Sequence, residues 1–197
     1  MIRGVVFDLD GTLVDSQLDF DAMRREMELP PDQPILEALV RLEPRQAASC
    51  QAILHRHELA GADRATLLPG ASELVAMLHT RSVRLAIATR NSRQIAAATL
   101  AKHDLAIELV FTRDDGPVKP DPWAVQEACR QWDVAASDVV VIGDYRFDVE
   151  CGRAAGAHTV LLTHPHDPHG HPNLEQADLL LGSLVDFRRL LAWMDSL

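Results

Sequence analysis

Short apolar runs, rich in valine and isoleucine, recur along the chain, and polar or turn-forming residues follow each of them. Continuous apolar runs of this length are typical of strands that are buried on both faces, as in a parallel β-sheet. The pattern therefore predicts strands at Ile2–Phe7, Val83–Ala88, Leu109–Phe111, Val139–Ile142 and Thr159–Leu162, with a weaker run at Leu179–Leu181.

Helical patterns separate several of these runs, at Ser92–Lys102, Pro122–Gln131 and Tyr145–Ala155. Parallel strands need crossover connections between them, and helices usually supply these connections. The alternation of strand and helix therefore predicts an α/β fold with a doubly wound parallel sheet.

The alternation is interrupted once, between Gln17 and Gly61, where only helical patterns occur. Three helices are predicted there, and two consecutive prolines end the first of them. Their apolar positions are Phe20, Met23 and Met27 in the first, Ile35, Leu36, Leu39 and Val40 in the second, and a stretch from Ala47 to Leu59 in the third. We expect residues 17–61 to form a small helical insertion and residues 1–16 and 62–197 to form the core domain.

Composition and charge narrow the possible functions. The 197 residues are 47% hydrophobic and 24% charged, as in an ordinary globular protein, and 29 acidic against 19 basic residues give a net charge of −10. This charge disfavours binding to nucleic acid or to an anionic membrane. The three cysteines are far apart, and no signal-peptide core or membrane-spanning apolar segment occurs. We expect a cytoplasmic protein, and its oligomeric state is not indicated.

The polar residues that follow the predicted strands are the candidate functional residues. Asp8 and Asp10 follow the first strand, Lys119 comes after the third, and Asp144 and Asp148 follow the fourth. The carboxyl ends of parallel strands meet at one edge of the sheet, where open α/β folds bind ligands. Neighbouring carboxylates repel each other, and their oxygen atoms are the ligands that Mg²⁺ prefers. With a lysine as a second cation, this edge suits a phosphoryl group.

The second predicted strand is followed by Thr89, Arg90 and Asn91, just before a helix whose N-terminus favours an anion. A purely structural interpretation also exists. Asn91 could cap that helix, with Gln94 completing a capping box, and Asp144 could cap the helix after the fourth strand. The occurrence of such residues at four strand ends, in order, favours a functional site.

Two further features have open interpretations. Arg90 and Arg113 closely follow strands, and they either add positive charge at the crevice or are solvated surface residues. The loop after the fifth strand is rich in histidine, which either contacts a metal ion or substrate or is simply solvated. Its histidines are His164, His166, His169 and His171.

The sequence resembles the haloacid dehalogenase-like hydrolases, in particular their branch of phosphoglycolate phosphatases and phosphonatases. The matching motifs are residues 8–12 (DLDGT), Thr89, Lys119-Pro120, and Gly143-Asp144 with Asp148. The resemblance covers the whole chain. It implies a Rossmann-like core with strand order 5-4-1-2-3 and a helical cap inserted after the first motif.

The resemblance also implies roles for the catalytic residues. Asp8 is expected to be a ligand of Mg²⁺ and the nucleophile that forms an aspartyl-phosphate. Asp10 is expected to protonate the leaving oxygen, then to deprotonate the attacking water, and to bind Mg²⁺ through its backbone carbonyl. Lys119 is expected to neutralise Asp8 and the phosphoryl group.

The binding residues follow from the same resemblance. Thr89, a catalytic residue, is expected to hold the phosphoryl oxygens together with Arg90 and the backbone around Asn91. Asp144 is expected to bind Mg²⁺ directly. Asp148 is expected to orient the lysine or a metal-bound water.

Three features of the sequence select among the chemistries of this family. Asp10 argues against dehalogenation, because the departure of a halide needs no acid. Cleavage of a carbon–phosphorus bond needs a cap lysine that forms a Schiff base, and no lysine occurs before Lys102. The short insertion implies an open, wetter site, which favours hydrolysis over transfer.

These arguments predict a Mg²⁺-dependent phosphatase that acts on a small phosphorylated metabolite, such as phosphoglycolate or a sugar phosphate. Two alternatives stay open: a sugar-phosphate mutase of the same family, and a non-enzymatic phospho-acceptor that regulates a partner. The arginine- and alanine-rich composition is typical of a bacterial protein from a GC-rich genome.

Overall fold

The apolar runs of the sequence form the strands of a parallel β-sheet in the computed structural model, which describes residues 1–31, 33–163 and 176–197. In chain order the strands are β1 Gly4–Phe7, β2 Val14–Asp15, β3 Thr66–Leu67, β4 Arg84–Ala88, β5 Leu109–Phe111, β6 Val139–Gly143, β7 His158–Leu162 and β8 Leu179–Leu181. Six of them form the main sheet, whereas β2 and β3 pair with each other in antiparallel orientation.

The α-helices of the described residues flank these strands in the chain. They are α1 Phe20–Glu26, α2 Ile35–Leu39, α3 Pro44–Arg64, α4 Ala71–Thr80, α5 Arg93–Leu100, α6 Trp123–Trp132, α7 Arg146–Ala155 and α8 Phe187–Met194. None of the helices in the described part of the chain combines the length and the apolar character that a membrane span requires.

The strand order of the main sheet is β5-β4-β1-β6-β7-β8, with all neighbours parallel. The predicted order 5-4-1-2-3 is therefore confirmed, and β8 adds an edge strand beside the fifth. In this register Phe7 lies between Ile87 and Ile142. Because β1 and β6 are buried along their whole length, the first polar positions after them mark the edge of the sheet.

Two helices of the inserted segment differ in length from the predicted ones. The first ends at Glu26, before the prolines, because Glu28 already has a positive φ of 56°. The third starts at Pro44, earlier than the predicted Ala47. Proline is tolerated at the first position of a helix, because a backbone N–H at that position would have no hydrogen-bond partner within the helix.

The described residues form two compact units, one made of Met1–Asp15 and Thr66–Leu197 and the other of Ser16–Ala65. The first contains the main sheet, and the second contains α1, α2 and α3. The second unit has its own buried apolar cluster, formed by Met23, Met27, Ile35, Leu39, Cys50 and Leu54. A helical unit of this size depends on such a cluster for its stability.

The three cysteines are buried and free. Burial raises the pKa of the Cys151 thiol to about 12. The four histidines whose role the sequence left open, His164, His166, His169 and His171, lie outside the described residues.

The packing of α3 predicts how the helical unit responds to truncation. Leu54 is buried in the cluster, whereas Leu59 on the same helix is 45% exposed. Leu54→Ala should lower the free energy of unfolding by about 2–4 kcal/mol, because it removes buried apolar contacts and leaves a cavity. Urea unfolding followed by circular dichroism measures this change. Leu59→Ala is the matched control, and an equal loss in both variants would contradict the assigned packing.

Candidate active site

Lys119 is buried at the carboxyl edge of the sheet, between two carboxylates. Its Nζ atom lies 2.6 Å from Asp8 Oδ1 and 2.6 Å from Asp148 Oδ1. The lysine side chain is 5% exposed and that of Asp148 only 2%. These contacts join the end of β1, the loop after β5 and the first turn of α7.

The charges of this cluster shift the pKa values of its members. Burial alone lowers the pKa of Lys119, but Asp148 and Asp8 together outweigh it, so that the pKa lies above its ordinary value. Burial raises the pKa of Asp8 to about 7; Asp148 and Asp10 add to the rise, and Lys119 opposes it. Burial, with repulsion from Asp8 and Asp148, also raises the pKa of Asp144. The single positive charge of Lys119 therefore does not neutralise the negative charge of the carboxylates around it.

Asp148 is held by the backbone as well as by the lysine. Its Oδ2 atom accepts a hydrogen bond of 3.0 Å from the backbone N–H of Tyr145, which is the N-cap residue of α7. A Cβ atom at Gly143 would lie 2.1 Å from the Asp148 carboxyl carbon, so the residue before Asp144 has to be glycine. The alternative in which Asp144 caps α7 is wrong, because the N-cap is Tyr145 and the helix begins at Arg146.

Asp144 lies against the turn that follows β1. The Thr12 hydroxyl donates to Asp144 Oδ1 over 3.5 Å, and Thr12 is fully buried. Gly11 has a φ of +80°, and a Cβ atom there would lie 2.1 Å from Asp144 Oδ2. The glycine and the threonine of the first motif therefore place Asp144. We predicted no role for Thr12; its position within residues 8–12 was the available signal.

Asp10 pairs with Asn91 across the ends of β1 and β4. The Asn91 side-chain amide donates to Asp10 Oδ2 over 2.6 Å, and Asn91 is buried. The N-cap residue of α5 is Ser92, whose Oγ atom accepts from the backbone N–H of Ile95. The capping interpretation of Asn91 is therefore wrong, and no sequence signal indicated that its amide faces Asp10.

Thr89 is placed by the neighbouring strand. Its backbone N–H donates to the Phe111 carbonyl over 2.9 Å, and its hydroxyl accepts from the backbone N–H of Asn91 over 3.1 Å. The Asn91 N–H thus has a partner within the loop. The Thr89 hydroxyl keeps its own proton for donation to another acceptor.

The two arginines of this edge have different contacts. The Arg90 guanidinium donates to the Lys119 carbonyl, and its central carbon lies 4.7 Å from the centroid of the Phe147 ring. Arg113 donates through its side chain to the Arg90 carbonyl over 3.1 Å and through its backbone to the Asn91 carbonyl over 3.0 Å. Arg113 therefore stabilises the loop after β4 through these two hydrogen bonds.

The donor set of this edge fits a hard divalent cation. Carboxylate oxygens of Asp8, Asp144 and Asp148 lie within 4.8 Å of one another. Asp148 is already bound to Lys119 and to a backbone N–H, so Asp8 and Asp144 are the available direct ligands. Oxygen ligands and uncompensated negative charge are what Mg²⁺ needs.

A cleft of about 440 Å³ lies elsewhere on the sheet, at the amino ends of β4 and β5. Its lining includes His79, Arg84, Glu108 and Trp132, and none of the predicted site residues. The candidate active site is therefore identified by its side chains and not by the size of a cleft.

Comparison with known protein families identifies the family of the chain. The model of the haloacid dehalogenase-like hydrolases matches residues 17–162, which is most of the chain. The chain belongs to the haloacid dehalogenase-like hydrolase family. The predicted membership is thereby confirmed, and with it the expectation of an enzyme.

Several relatives of this hydrolase are named by their activity. A phosphoglycolate phosphatase of Cupriavidus necator is 32% identical, over 95% of this chain and 92% of its own. Hexitol phosphatase A of Escherichia coli is 30% identical, over 92% of this chain and 91% of its own. The structure of a hydrolase from Pseudomonas syringae superimposes with a TM-score of 0.76, at 24% identity and 98% coverage of both chains, which confirms the fold.

The buried lysine of the hydrolase predicts a pH-dependent loss of stability on its removal. Lys119→Met leaves Asp8 and Asp148 buried without their counter-ion, which should cost about 3–5 kcal/mol of the free energy of unfolding at pH 8. The pKa of Asp8, already about 7, rises further in this variant. Asp8 is therefore protonated at pH 5.5, and the loss should be smaller there than at pH 8.

Denaturant unfolding of wild type and variant at the two pH values measures the effect. Lys102→Met is the matched control, because Lys102 is exposed and is the other lysine of the chain. An equal loss of stability at pH 5.5 and pH 8 would show that the ion cluster is not its cause.

Proposed function

We propose that this hydrolase is a Mg²⁺-dependent phosphatase that cleaves a small phosphomonoester through an aspartyl-phosphate on Asp8. The observation that carries the proposal is the contact of Lys119 with Asp8 and Asp148, each over 2.6 Å. A carboxylate can attack an anionic phosphoryl group only where cations offset the repulsion between them. Asp8 has one such cation at its Oδ1 atom, which leaves Oδ2 for the attack.

Asp10 is the proposed acid and base. In the first step an Asp8 oxygen bonds to phosphorus, the bond to the ester oxygen breaks, and the Asp10 proton passes to that oxygen. In the second step Asp10 takes a proton from water, which attacks the acyl phosphate and releases inorganic phosphate and free Asp8. The 2.6 Å hydrogen bond from Asn91 keeps the Asp10 carboxyl in one orientation during both steps.

Thr89 and Arg90 are the proposed ligands of the transferring phosphoryl oxygens. The Thr89 hydroxyl accepts from the Asn91 N–H, so its proton points to a different acceptor. The Asn91 backbone contributes by fixing Thr89, and its side chain by fixing Asp10. Lys119 stabilises the negative charge that the phosphoryl group brings beside Asp8.

The proposed Mg²⁺ ligands are Asp8, Asp144 and the backbone carbonyl of Asp10, and Asp148 orients Lys119. When bound, the cation supplies charge stabilisation to the phosphoryl oxygens. Thr12 and Gly11 place Asp144 for this role, as described above. We also propose that residues 17–61, within the compact unit Ser16–Ala65, form the reduced helical cap, and that residues 1–16 and 62–197 form the catalytic core.

Loss of the nucleophile tests the reaction. Asp8→Asn should lower phosphate release from a panel of phosphomonoesters by at least about 1,000-fold, because an amide oxygen does not form the aspartyl-phosphate. Release is measured with and without Mg²⁺. Asp104→Asn, which changes an exposed aspartate in the same way, is the control and should retain full activity.

The alternatives give different results in the same assay. A mutase would convert the ester while phosphate stays on the product, and a phospho-acceptor would accumulate a stable acyl phosphate. Either result with wild-type protein would refute the proposed hydrolysis.

Metal binding should be visible without turnover. One fixed Mg²⁺ concentration, equal to 100 times the Kd at pH 8, should raise the Tm at pH 8 by about 5–10 °C, because the cation binds only the folded state. The rise should be larger at pH 8 than at pH 6, because Asp8, with a pKa of about 7, must lose a proton before it binds the cation at pH 6. Asp144→Asn should abolish the rise, which differential scanning fluorimetry measures. A rise that is equal at both pH values would count against Asp8 as a ligand.

A further inference from the structure

Arg113 is a half-buried arginine that holds two consecutive carbonyl groups of the loop after β4. Its guanidinium donates to the Arg90 carbonyl over 3.1 Å, and its backbone N–H donates to the Asn91 carbonyl over 3.0 Å. Parallel pairing of Ala88 with Phe111 starts the loops after β4 and β5 at the same level, which brings residue 113 beside residues 90 and 91. These contacts exclude the interpretation of Arg113 as a merely solvated surface residue.

The segment that contains Arg113 is a turn with its own hydrogen bonds. The backbone N–H and the hydroxyl of Thr112, which is buried, both donate to Asp115 Oδ2, over 2.9 and 2.6 Å. The Asp115 N–H donates back to the Thr112 carbonyl over 3.1 Å. Asp114 Oδ2 accepts from the backbone N–H of Arg93, the first residue of α5, over 2.8 Å. The turn is therefore fixed internally and is also bound to the helix that follows the loop after β4.

Asn91 receives the effect of these contacts, because both polar groups of its backbone are held. Its N–H donates to the Thr89 hydroxyl over 3.1 Å, and its carbonyl accepts from the Arg113 N–H. The side chain is buried and has only two rotatable bonds, so its direction follows from that of the backbone. Its amide donates to Asp10 Oδ2 over 2.6 Å. Arg113 is therefore two hydrogen bonds away from the carboxyl group of the proposed acid and base.

We infer that Arg113 is a positioning residue of the phosphatase reaction and that it acts on Asp10 through Asn91. The inference rests on the proposed function and adds to it a residue that lies outside the four motifs. An acid transfers its proton only at hydrogen-bond distance from the leaving oxygen, and a misplacement of about 1 Å costs about 100-fold in rate. Without Arg113 the carbonyls of residues 90 and 91 lose these donors, and the Asn91 amide loses its fixed direction.

The other interpretation is that the charge of Arg113 acts directly on the phosphoryl group. One of its two hydrogen bonds to the loop comes from the backbone N–H, which carries no charge, so the contacts favour positioning. The two interpretations also differ in their kinetics. Loss of a contact with the phosphoryl group affects every ester alike, whereas loss of the acid's orientation affects only esters whose leaving group needs a proton.

Two aryl esters that differ in this need test the inference. Phenol is a weak acid, so phenyl phosphate needs a proton on its leaving oxygen, whereas 2,4-dinitrophenol departs as the anion. Their kcat/KM values include the formation of the aspartyl-phosphate but not the later attack of water. Arg113→Met should lower kcat/KM by about 10- to 100-fold for phenyl phosphate and by less than about 3-fold for 2,4-dinitrophenyl phosphate.

Arg130→Met is the matched control, because Arg130 is an arginine of α6 whose side chain is 71% exposed. It removes the same charge and should leave kcat/KM unchanged for both esters. Circular dichroism and the Tm of each variant show whether it is folded.

A double-mutant cycle with Asn91→Ala gives a second measurement. It uses the alkyl ester that the wild-type protein hydrolyses fastest, since every alkyl leaving group needs a proton. Because Arg113 acts through Asn91, its loss should matter little once the amide is gone. The double variant should therefore be no more than about 3-fold slower than Asn91→Ala alone. Single losses that multiply in the double variant would show that the two residues act independently, which contradicts the inference.

The possible outcomes separate this inference from the proposed function. Equal losses for the two aryl esters in Arg113→Met, or no loss for either of them, overturn the inference and leave the phosphatase standing. No phosphate release from any ester by the wild-type protein overturns both.

Discussion

The site depends on the ion pairs that the buried ammonium group of Lys119 forms with two carboxylates. Removing a lysine from water is costly, and the cost is met here by two carboxylates at 2.6 Å, from Asp8 and Asp148. Two anions for one cation leave the cluster with excess negative charge, to which Asp144 adds. This excess explains why burial and repulsion raise the pKa of Asp8 and of Asp144, and why a divalent cation fits beside them.

The fold supplies this cluster from parts that are far apart in the chain. Parallel pairing of β1 with β4 and β6 brings three strand ends to one edge, and the loop after β5 adds Lys119. Close approach then fixes the side chains: Gly11 leaves room for the Asp144 carboxyl, and Gly143 leaves room for that of Asp148. The small residues of the motifs are therefore as necessary for the geometry as the charged ones.

The sequence was sufficient to predict the sheet and to select the candidate residues, but not to predict the contacts between them. Continuous apolar runs identify buried strands such as β1 and β6, and their order follows from the family. The pairing of Asn91 with Asp10 is different, because capping and side-chain contact have the same local pattern and only the tertiary structure separates them. The stacking of Arg90 on Phe147 likewise joins the loop after β4 to α7, which are far apart in the chain.

Chemistry and selection of substrate have separate origins at this edge. In the proposed reaction the ion cluster of Asp8, Lys119 and Asp148 acts on the phosphoryl group alone, so it does not distinguish one phosphomonoester from another. Discrimination has to come from groups that contact the rest of the substrate.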